Sequence, residues 1–278
     1  MTSDWSARFA AASDDAMRRD YEGIMVPRLF VPWADVLLDR LALEPGQKVL
    51  DVACGPGTVA RAAARRVGPT GQVTGVDFSP AMLAIARGKS PVDNGAPIEY
   101  FEGPADKLDL PDDDVDVVTC QHGLQFFPDR PAALAEMRRV LRPNGRLGIA
   151  VWRSIAECPP FDALADGIVE VLGEQAATTY RSGPWGFADP DELAALLDAA
   201  GFTEVAVTRH ELPLEFDGGA TQLVDTLPVA AVAQDVAALD EAGHQRLVEA
   251  VARAAAPITT EDGIVRSTAA ANLAVARA

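Results

Sequence analysis

Between Lys48 and about Arg153, short, mostly apolar runs alternate with amphipathic stretches. The runs Lys48–Val52, Gln72–Asp77, Ile98–Glu102, Val115–Cys120 and Arg146–Trp152 read as strands buried in a sheet, and the 3.6-residue period fits helices over Thr58–Val67, Pro80–Arg87 and Pro131–Leu141. Strand–helix–strand order predicts right-handed crossovers and a parallel sheet. The link from Gly103 to Asp114 has room for no more than a turn or two of helix. Ahead of this core, Ser3 or Asp4 caps a helix running to about Asp20. Pro32 opens another helix, with Trp33, Val36, Leu37 and Leu41 on one stripe, which Glu44-Pro45-Gly46 ends.

Beyond Trp152, Phe161–Gly173 and Asp189–Ala200 read as helices, the second stopped by Gly201. Phe202–Phe216 is a long strand, Ala220–Ala256 is helical, and Gly263–Arg277 is a last strand. The pattern predicts a doubly wound, mostly parallel α/β sheet of seven strands with helical lid insertions. Its parts are an N-terminal helical cap (1–43), an α/β core (44–153), and the remaining strands with a helical insertion (154–278). That insertion either covers one end of the sheet as a lid or shields an exposed edge.

Composition narrows the function classes. With 24 Lys plus Arg against 41 Asp plus Glu, the formal charge is -17. A surface so acidic repels phosphate backbones and anionic lipids, so nucleic acid is not expected as a partner. No apolar run is long enough for a bilayer, and the N-terminus lacks the basic-then-apolar order of a signal peptide, so the expectation is no membrane insertion and a cytoplasmic location. The three cysteines, Cys54, Cys120 and Cys158, are scattered without metal-ligand spacing. Neither a disulfide framework nor a metal site is expected.

The candidate chemistry concentrates in Val49-Leu50-Asp51-Val52-Ala53-Cys54-Gly55-Pro56-Gly57-Thr58-Val59-Ala60, an apolar strand running through a Gly-x-Gly turn into an Ala-rich helix. Glycines there admit left-handed backbone and close approach of a ligand. Gly55-x-Gly57-x-x-Ala60 also satisfies the dinucleotide fingerprint. Asp51 separates the readings: beside a pyrophosphate a carboxylate repels, whereas beside a cationic ligand it attracts. Asp51 has a second reading, that it only ties down nearby backbone N–H groups. Asp77 ends the next strand, where an acid in this topology reaches the hydroxyls of a ribose. Phe78 and Met82 follow, either against an adenine face or in the core.

Here the chain resembles the class I S-adenosylmethionine-dependent methyltransferases, in particular the small-molecule branch of the ubiquinone and menaquinone methylases. VLDVACGPG resembles the first motif, VTGVDFSPAML the second, YFEGPADKLDLPDDDVDVV the third and LRPNGRLGIAVW the last. The resemblance implies methyl transfer from S-adenosyl-L-methionine to O, N or C of a small, largely apolar acceptor, releasing S-adenosyl-L-homocysteine. It implies cofactor contacts at Ala53, Gly55 and Gly57, with Asp51 near the ammonium and Asp77 on the ribose. The backbone N–H of Ala105 would meet the adenine. Where the family often has Asp or Asn before that position this chain has Pro104, leaving the adenine amino group to Asp106 or to water.

In the family, the loop after the fourth strand, Cys120 to Asp129, borders the transferred methyl. This makes His122 the candidate general base, since an imidazole near neutrality accepts a proton from an attacking hydroxyl. Its other readings are a backbone hydrogen bond shaping the turn or a wall of the adenine pocket. His210 and His244 read as structural or solvated. Alignment and exclusion of water accelerate transfer from a sulfonium without any base. Tyr21, Trp152, Arg153 and Trp185 are the candidate substrate contacts, with Trp33 and Phe187 nearby in kind. Arg153 would hold a carboxylate or simply be solvated. Leu227–Leu239 is either an apolar pocket wall or a helix or subunit contact, and the assembly is expected to be a monomer or homodimer. The rival functions are an NAD(P)-dependent oxidoreductase, which Asp51 and the lack of a Tyr-x-x-x-Lys pair oppose, and a descendant of the fold that uses the pocket for non-methylating chemistry.

Overall fold

The computed structural model describes residues 17–278, and the helix expected from Ser3 or Asp4 lies outside them except at its end. Met17–Phe30 is a π-type helical segment carrying Pro27 inside it, so helix continues past Asp20. Contacts group the rest into two units. The α/β unit comprises Phe30–Val151, Asp189–His210 and Asn272–Ala278, and the other comprises the N-terminal residues to Leu29, Trp152–Ala188 and Glu211–Ala271. The boundaries near Leu29 and Trp152 differ from the expected cap and core by a few residues. The later helices and strands divide between both units, because β6 and β7 pass from one to the other.

Seven strands form one sheet in the order β3-β2-β1-β4-β5-β7-β6. They are β1 Lys48–Val52, β2 Gln72–Asp77, β3 Ile98–Glu102, β4 Val115–Gln121, β5 Leu141–Trp152, β6 Thr203–Phe216 and β7 Val265–Arg277. The first five pair in parallel. β7 runs against β5: Arg153 N–H donates to Ala270 O, while Ala278 N–H donates to Gly145 O farther back along β5. β5 starts at Leu141 rather than Arg146. Its ladder with β4 resumes at Leu141 opposite Val115 after an irregularity, in which Asn144 adopts a left-handed φ of 66°.

In the α/β unit, α1 (Val31–Leu41) buries Trp33, Ala34, Leu37, Leu38 and Leu41, so Leu38 takes the core place expected of Val36. Each such leucine contributes about 1.5–3 kcal/mol by leaving water. The helix can approach because β5 carries Gly148 beneath it: a Cβ there would sit 2.6 Å from Leu41 Cδ1. α2 (Thr58–Val67) presents alanines to the sheet and α3 (Pro80–Gly88) is capped by Ser79, whose hydroxyl accepts from Met82 N–H. α4 (Arg130–Val140) is capped by Asp129, and α7 (Pro190–Ala199) by Asp189. The β3–β4 link contains no helix.

The second unit contains α5 (Pro159–Leu172), α6 (Glu174–Arg181), α8 (Gly219–Val224), α9 (Ala233–Ala237) and α10 (Glu241–Ala254). Gly173 ends α5 as expected but also begins α6, an element the sequence pattern did not predict. The single helix expected over Ala220–Ala256 is broken. Pro228 cannot donate within a helix, and Asp240 starts α10 afresh by accepting from Gly243 N–H at 2.7 Å.

Candidate functional site

The strand order reverses between β1 and β4, and in an open α/β sheet ligands bind beyond the carboxyl ends of the strands at that switch. Parallel register sets one row across the sheet there: Tyr100, Gly75, Asp51, Thr119 and Gly148 lie side by side. Residues of one row share a face. Thr119 is therefore beside Asp51, and its hydroxyl donates to Asp51 Oδ1 at 2.8 Å. Asp51 Oδ2 accepts from Ala60 N–H at 3.0 Å, tying the strand end to the first turn of α2. The reading of Asp51 as a tie for backbone N–H groups is thus realised, and the Thr119 bond is a partner that sequence reasoning missed.

Asp77 braces the same turn from the next strand. Its Oδ2 accepts from Gly55 N–H at 2.7 Å and its Oδ1 from Ser79 N–H at 2.8 Å. Both carboxylates are buried, and among the described residues neither pairs with a cation. Burial holds the Asp51 carboxyl up at about 7, with Asp77 adding a smaller push, and burial also raises Asp77. Such a site is short of positive charge. Each carboxylate has further lone pairs beyond its present bonds.

The turn itself is shaped for close approach. Gly55 and Gly57 have φ of 53° and 80°, and Ala53 adopts the same left-handed backbone at φ 56°. A Cβ on Gly55 would meet nothing within 4 Å, whereas one on Gly57 would sit 2.3 Å from Tyr100 Oη. A Cβ on Gly75 would sit 2.7 Å from Tyr100 Cδ1 and 2.9 Å from Cys54 Sγ. Two glycines thus let the Tyr100 ring lie under the turn, where its hydroxyl is buried with no hydrogen-bond partner among the described residues. Burial raises the Cys54 thiol strongly and the Cys120 thiol to about 12, so both stay protonated, and all three cysteines are free and buried.

At the end of β4, His122 has a left-handed φ of 54°, and its N–H donates to Ala150 O at 2.8 Å. A Cβ on the following Gly123 would sit 2.6 Å from Ala53 Cβ, so the β1 and β4 loops touch at two strained residues. The imidazole stands 6.1 Å from the Phe30 ring and 6.0 Å from Trp33, centroid to centroid. Burial pushes it down to about 3. The expectation of an imidazole titrating near neutrality is therefore corrected: His122 is a neutral, weak base, and the readings of turn-shaping residue and pocket wall fit its surroundings. Gln121 beside it donates from Nε2 to Phe30 O at 2.9 Å, which holds the start of α1 at this strand end.

Of the other expected contacts, Phe78 is 43% exposed beside Asp77, whereas Met82 at 1% is closed into the core, so the adenine-face reading does not extend to Met82. Ala105 and Asp106 lie in the loop beyond β3, which Gly103 N–H pins to Asp77 O at 3.0 Å; Asp106 is exposed. A separate groove of about 490 Å³, lined by Lys48, Gln72, Thr74, Glu99, Phe101 and Asp114 among others, opens on the opposite face of the sheet.

Tyr21, Trp152, Arg153 and Trp185 belong to the second unit. Arg153 Nε donates to both oxygens of Glu157, at 2.7 and 2.9 Å, so its charge is met within the chain. His210 sits on the edge strand β6 within 2.9 Å of an Arg40 nitrogen, and His244 lies in α10. Among the described residues there is no group of three or more His, Cys, Asp or Glu side chains arranged for a metal. No helix among them is long and apolar enough to cross a membrane.

The model of the ubiE/COQ5 methyltransferase family matches residues 16–213. A demethylmenaquinone methyltransferase of Lysinibacillus sphaericus (strain C3-41) is 33% identical over 198 residues, covering 68% of this chain and 83% of that protein. A ubiquinone/menaquinone biosynthesis C-methyltransferase UbiE of Bordetella avium (strain 197N) is 34% identical over 181 residues, 62% of this chain and 70% of that one. The fold is shared with Haemonchus contortus phosphoethanolamine N-methyltransferase 2 in complex with S-adenosyl-L-methionine, at TM-score 0.61 and 18% identity over 99% of this chain and 60% of that one.

Proposed function

The chain belongs to the ubiE/COQ5 methyltransferase family, and from that premise we propose how its residues divide the work of S-adenosylmethionine-dependent methyl transfer to a small molecule. The observation that carries the division is the pair of buried acids, Asp51 and Asp77, lying on either side of a glycine turn with no cation of their own. A ligand bearing an ammonium and a sulfonium supplies the missing charge, whereas a pyrophosphate would worsen the deficit. The rival reading of a dinucleotide oxidoreductase is set aside on family membership as well as on charge.

The cofactor brings an electrophilic methyl activated by the sulfonium. Gly55, Gly57 and Ala53 let the backbone approach its methionine end, and Asp51 sets a negative potential there while keeping the turn closed through Ala60 and Thr119. Asp77 accepts from the ribose hydroxyls. Phe78 lies on the adenine, and the N–H of Ala105 and the carboxylate of Asp106 meet its edge. His122 walls the pocket as a neutral ring and keeps water away from the reacting carbon. Its low basicity favours an acceptor that arrives already nucleophilic, so in-line alignment contributes most of the rate.

By analogy with the named activity of the Bordetella relative, the acceptor is an electron-rich ring carbon of a quinol-like compound. Tyr21, Trp152 and Trp185 are the proposed acceptor contacts, with Arg153 removed from that group by its pairing to Glu157. The protein is proposed to act as a cytoplasmic monomer or homodimer. The test is thermal: S-adenosylhomocysteine raises Tm and NADH does not. Asp77→Asn weakens that stabilisation tenfold or so in ligand concentration, as loss of a charged hydrogen-bond partner should. A Tm unmoved by S-adenosylhomocysteine, with NADH stabilising instead, would sink the reading.

A further inference from the structure

The second unit contains an aromatic cluster that the cofactor turn does not use. The Trp185 ring lies 5.9 Å from Trp152 and 5.3 Å from Phe161, centroid to centroid. Phe161 in turn stands edge-on to Phe216 at 6.1 Å. All four side chains are buried, Trp185 to within 8% of full enclosure. The contacting rings offer only faces and edges. Yet the indole Nε1 of Trp185 is out of solvent and has no acceptor among the described residues.

That combination is unusual for simple packing. A buried indole N–H normally finds an acceptor, and a site needing only a large apolar ring is served by phenylalanine with no donor left over. Ligand sites, by contrast, are aromatic walls with a few fixed polar groups. Here the wall is Trp152, Phe161 and Phe216, and the polar group is a single hydrogen-bond donor. The complementary ligand is flat, apolar over most of its surface, and carries an oxygen with a lone pair.

We propose that Trp185 is a specificity-determining residue of the acceptor subsite, its indole N–H donating to a carbonyl or phenolic oxygen on a flat ring compound stacked within the aromatic cluster. This rests on the methyl-acceptor reading above and deepens it. A ring bearing the oxygen is selected over a hydrocarbon of the same outline, because only the former satisfies the buried donor. Trp152 and Phe161 supply the stacking surface and tolerate variation in ring substituents. Arg153, already held by Glu157, takes no part.

The experiment uses the full-length protein labelled with nitrogen-15 and saturated with S-adenosylhomocysteine. The probes are α-tetralone and tetralin, which share a bicyclic frame and differ at one carbonyl. Four tryptophans give four indole N–H resonances. Trp185→Phe identifies the one that matters; should that variant not fold, Phe at each of Trp5, Trp33 and Trp152 assigns it by elimination. α-Tetralone is expected to move the Trp185 indole proton downfield, and tetralin to leave it in place. Trp185→Phe is expected to bind α-tetralone about tenfold more weakly while keeping the affinity of the wild-type protein for S-adenosylhomocysteine. An unmoved Trp185 resonance at saturating α-tetralone, or equal responses to both probes, overturns the proposal. Stabilisation by S-adenosylhomocysteine in the same samples separates that outcome from failure of the methyltransferase assignments, which would abolish the stabilisation itself.

Discussion

A methyl group at Gly57 would have to share space with a phenol. Its Cβ would lie 2.3 Å from Tyr100 Oη, in a backbone conformation of φ 80° that L side chains rarely adopt. Gly57→Ala is therefore expected to cost about 1–3 kcal/mol in urea unfolding. Tyr100→Phe alone is expected to be neutral or mildly stabilising, because it deletes a buried hydroxyl that has no partner. Combined with Gly57→Ala it should restore part of the loss. Strict additivity of the two changes would show that the phenol is not the obstacle.

The acids at the turn give a second expectation at this scale. Asp51 titrates at about 7 when folded against 3.8 ordinarily, so the folded protein holds a proton that the unfolded chain has released. Its contribution is destabilising, growing as pH rises from about 4 to 7 and constant above that. Asp51→Asn should flatten the fall in Tm across that window. A cationic ligand brought beside Asp51 lowers its pKa, so S-adenosylmethionine binding near pH 7 should release protons. Calorimetry in buffers of different ionisation enthalpy reads that release, and its absence would place the ligand's charge elsewhere. Asp51, Asp77 and the glycine turn were legible in the sequence because residue type and strand position together define their chemistry. The state of His122 was not: its shift comes from Phe30 and Trp33, distant in sequence and brought near by packing of α1. Thr119 was hidden for a similar reason, since only the register of β4 against β1 sets its hydroxyl beside Asp51.

Among elements, the first four strands and α2 were legible almost to the residue, because buried parallel strands are apolar runs and their helices follow at short, regular intervals. The failures have local causes. Gly173 reads as a stop, yet a glycine with φ 90° both ends α5 and admits α6 without a pause. The Ala-rich stretch after Gly219 has helical composition throughout, and only Pro228 and the cap at Asp240 divide it. The seat of α1 depends on a missing side chain on β5. Gly148→Ala drives a methyl to within 2.6 Å of Leu41 Cδ1 and 3.2 Å of Leu37 Cδ1. The expected cost is about 1–3 kcal/mol, from shifting a packed helix. Leu41→Ala in the same background should cost less than it does alone, since the new methyl occupies some of the space the leucine leaves; denaturant titration of the four proteins checks this.

The molecule as a whole carries a formal charge of -17. Self-repulsion of that size is relieved by counterions, so Tm should rise between about 10 and 150 mM sodium chloride, over which the Debye length falls from roughly 30 to 8 Å. Stopped-flow association of S-adenosylmethionine should slow over the same range, because the same field draws a cation in. An association rate indifferent to salt would mean that the local acids, and not the overall field, govern capture. A different whole-molecule consequence follows from the place of β7. It lies between β5 and β6 in the sheet but follows both in the chain. A ribosome that has finished β6 therefore holds a nascent protein with two unpaired strand edges facing a gap, and these edges stay sticky until residues 265–277 emerge. Translation arrested before that point should yield chains that chaperones retain or that clump together, whereas release a few codons later closes the seam.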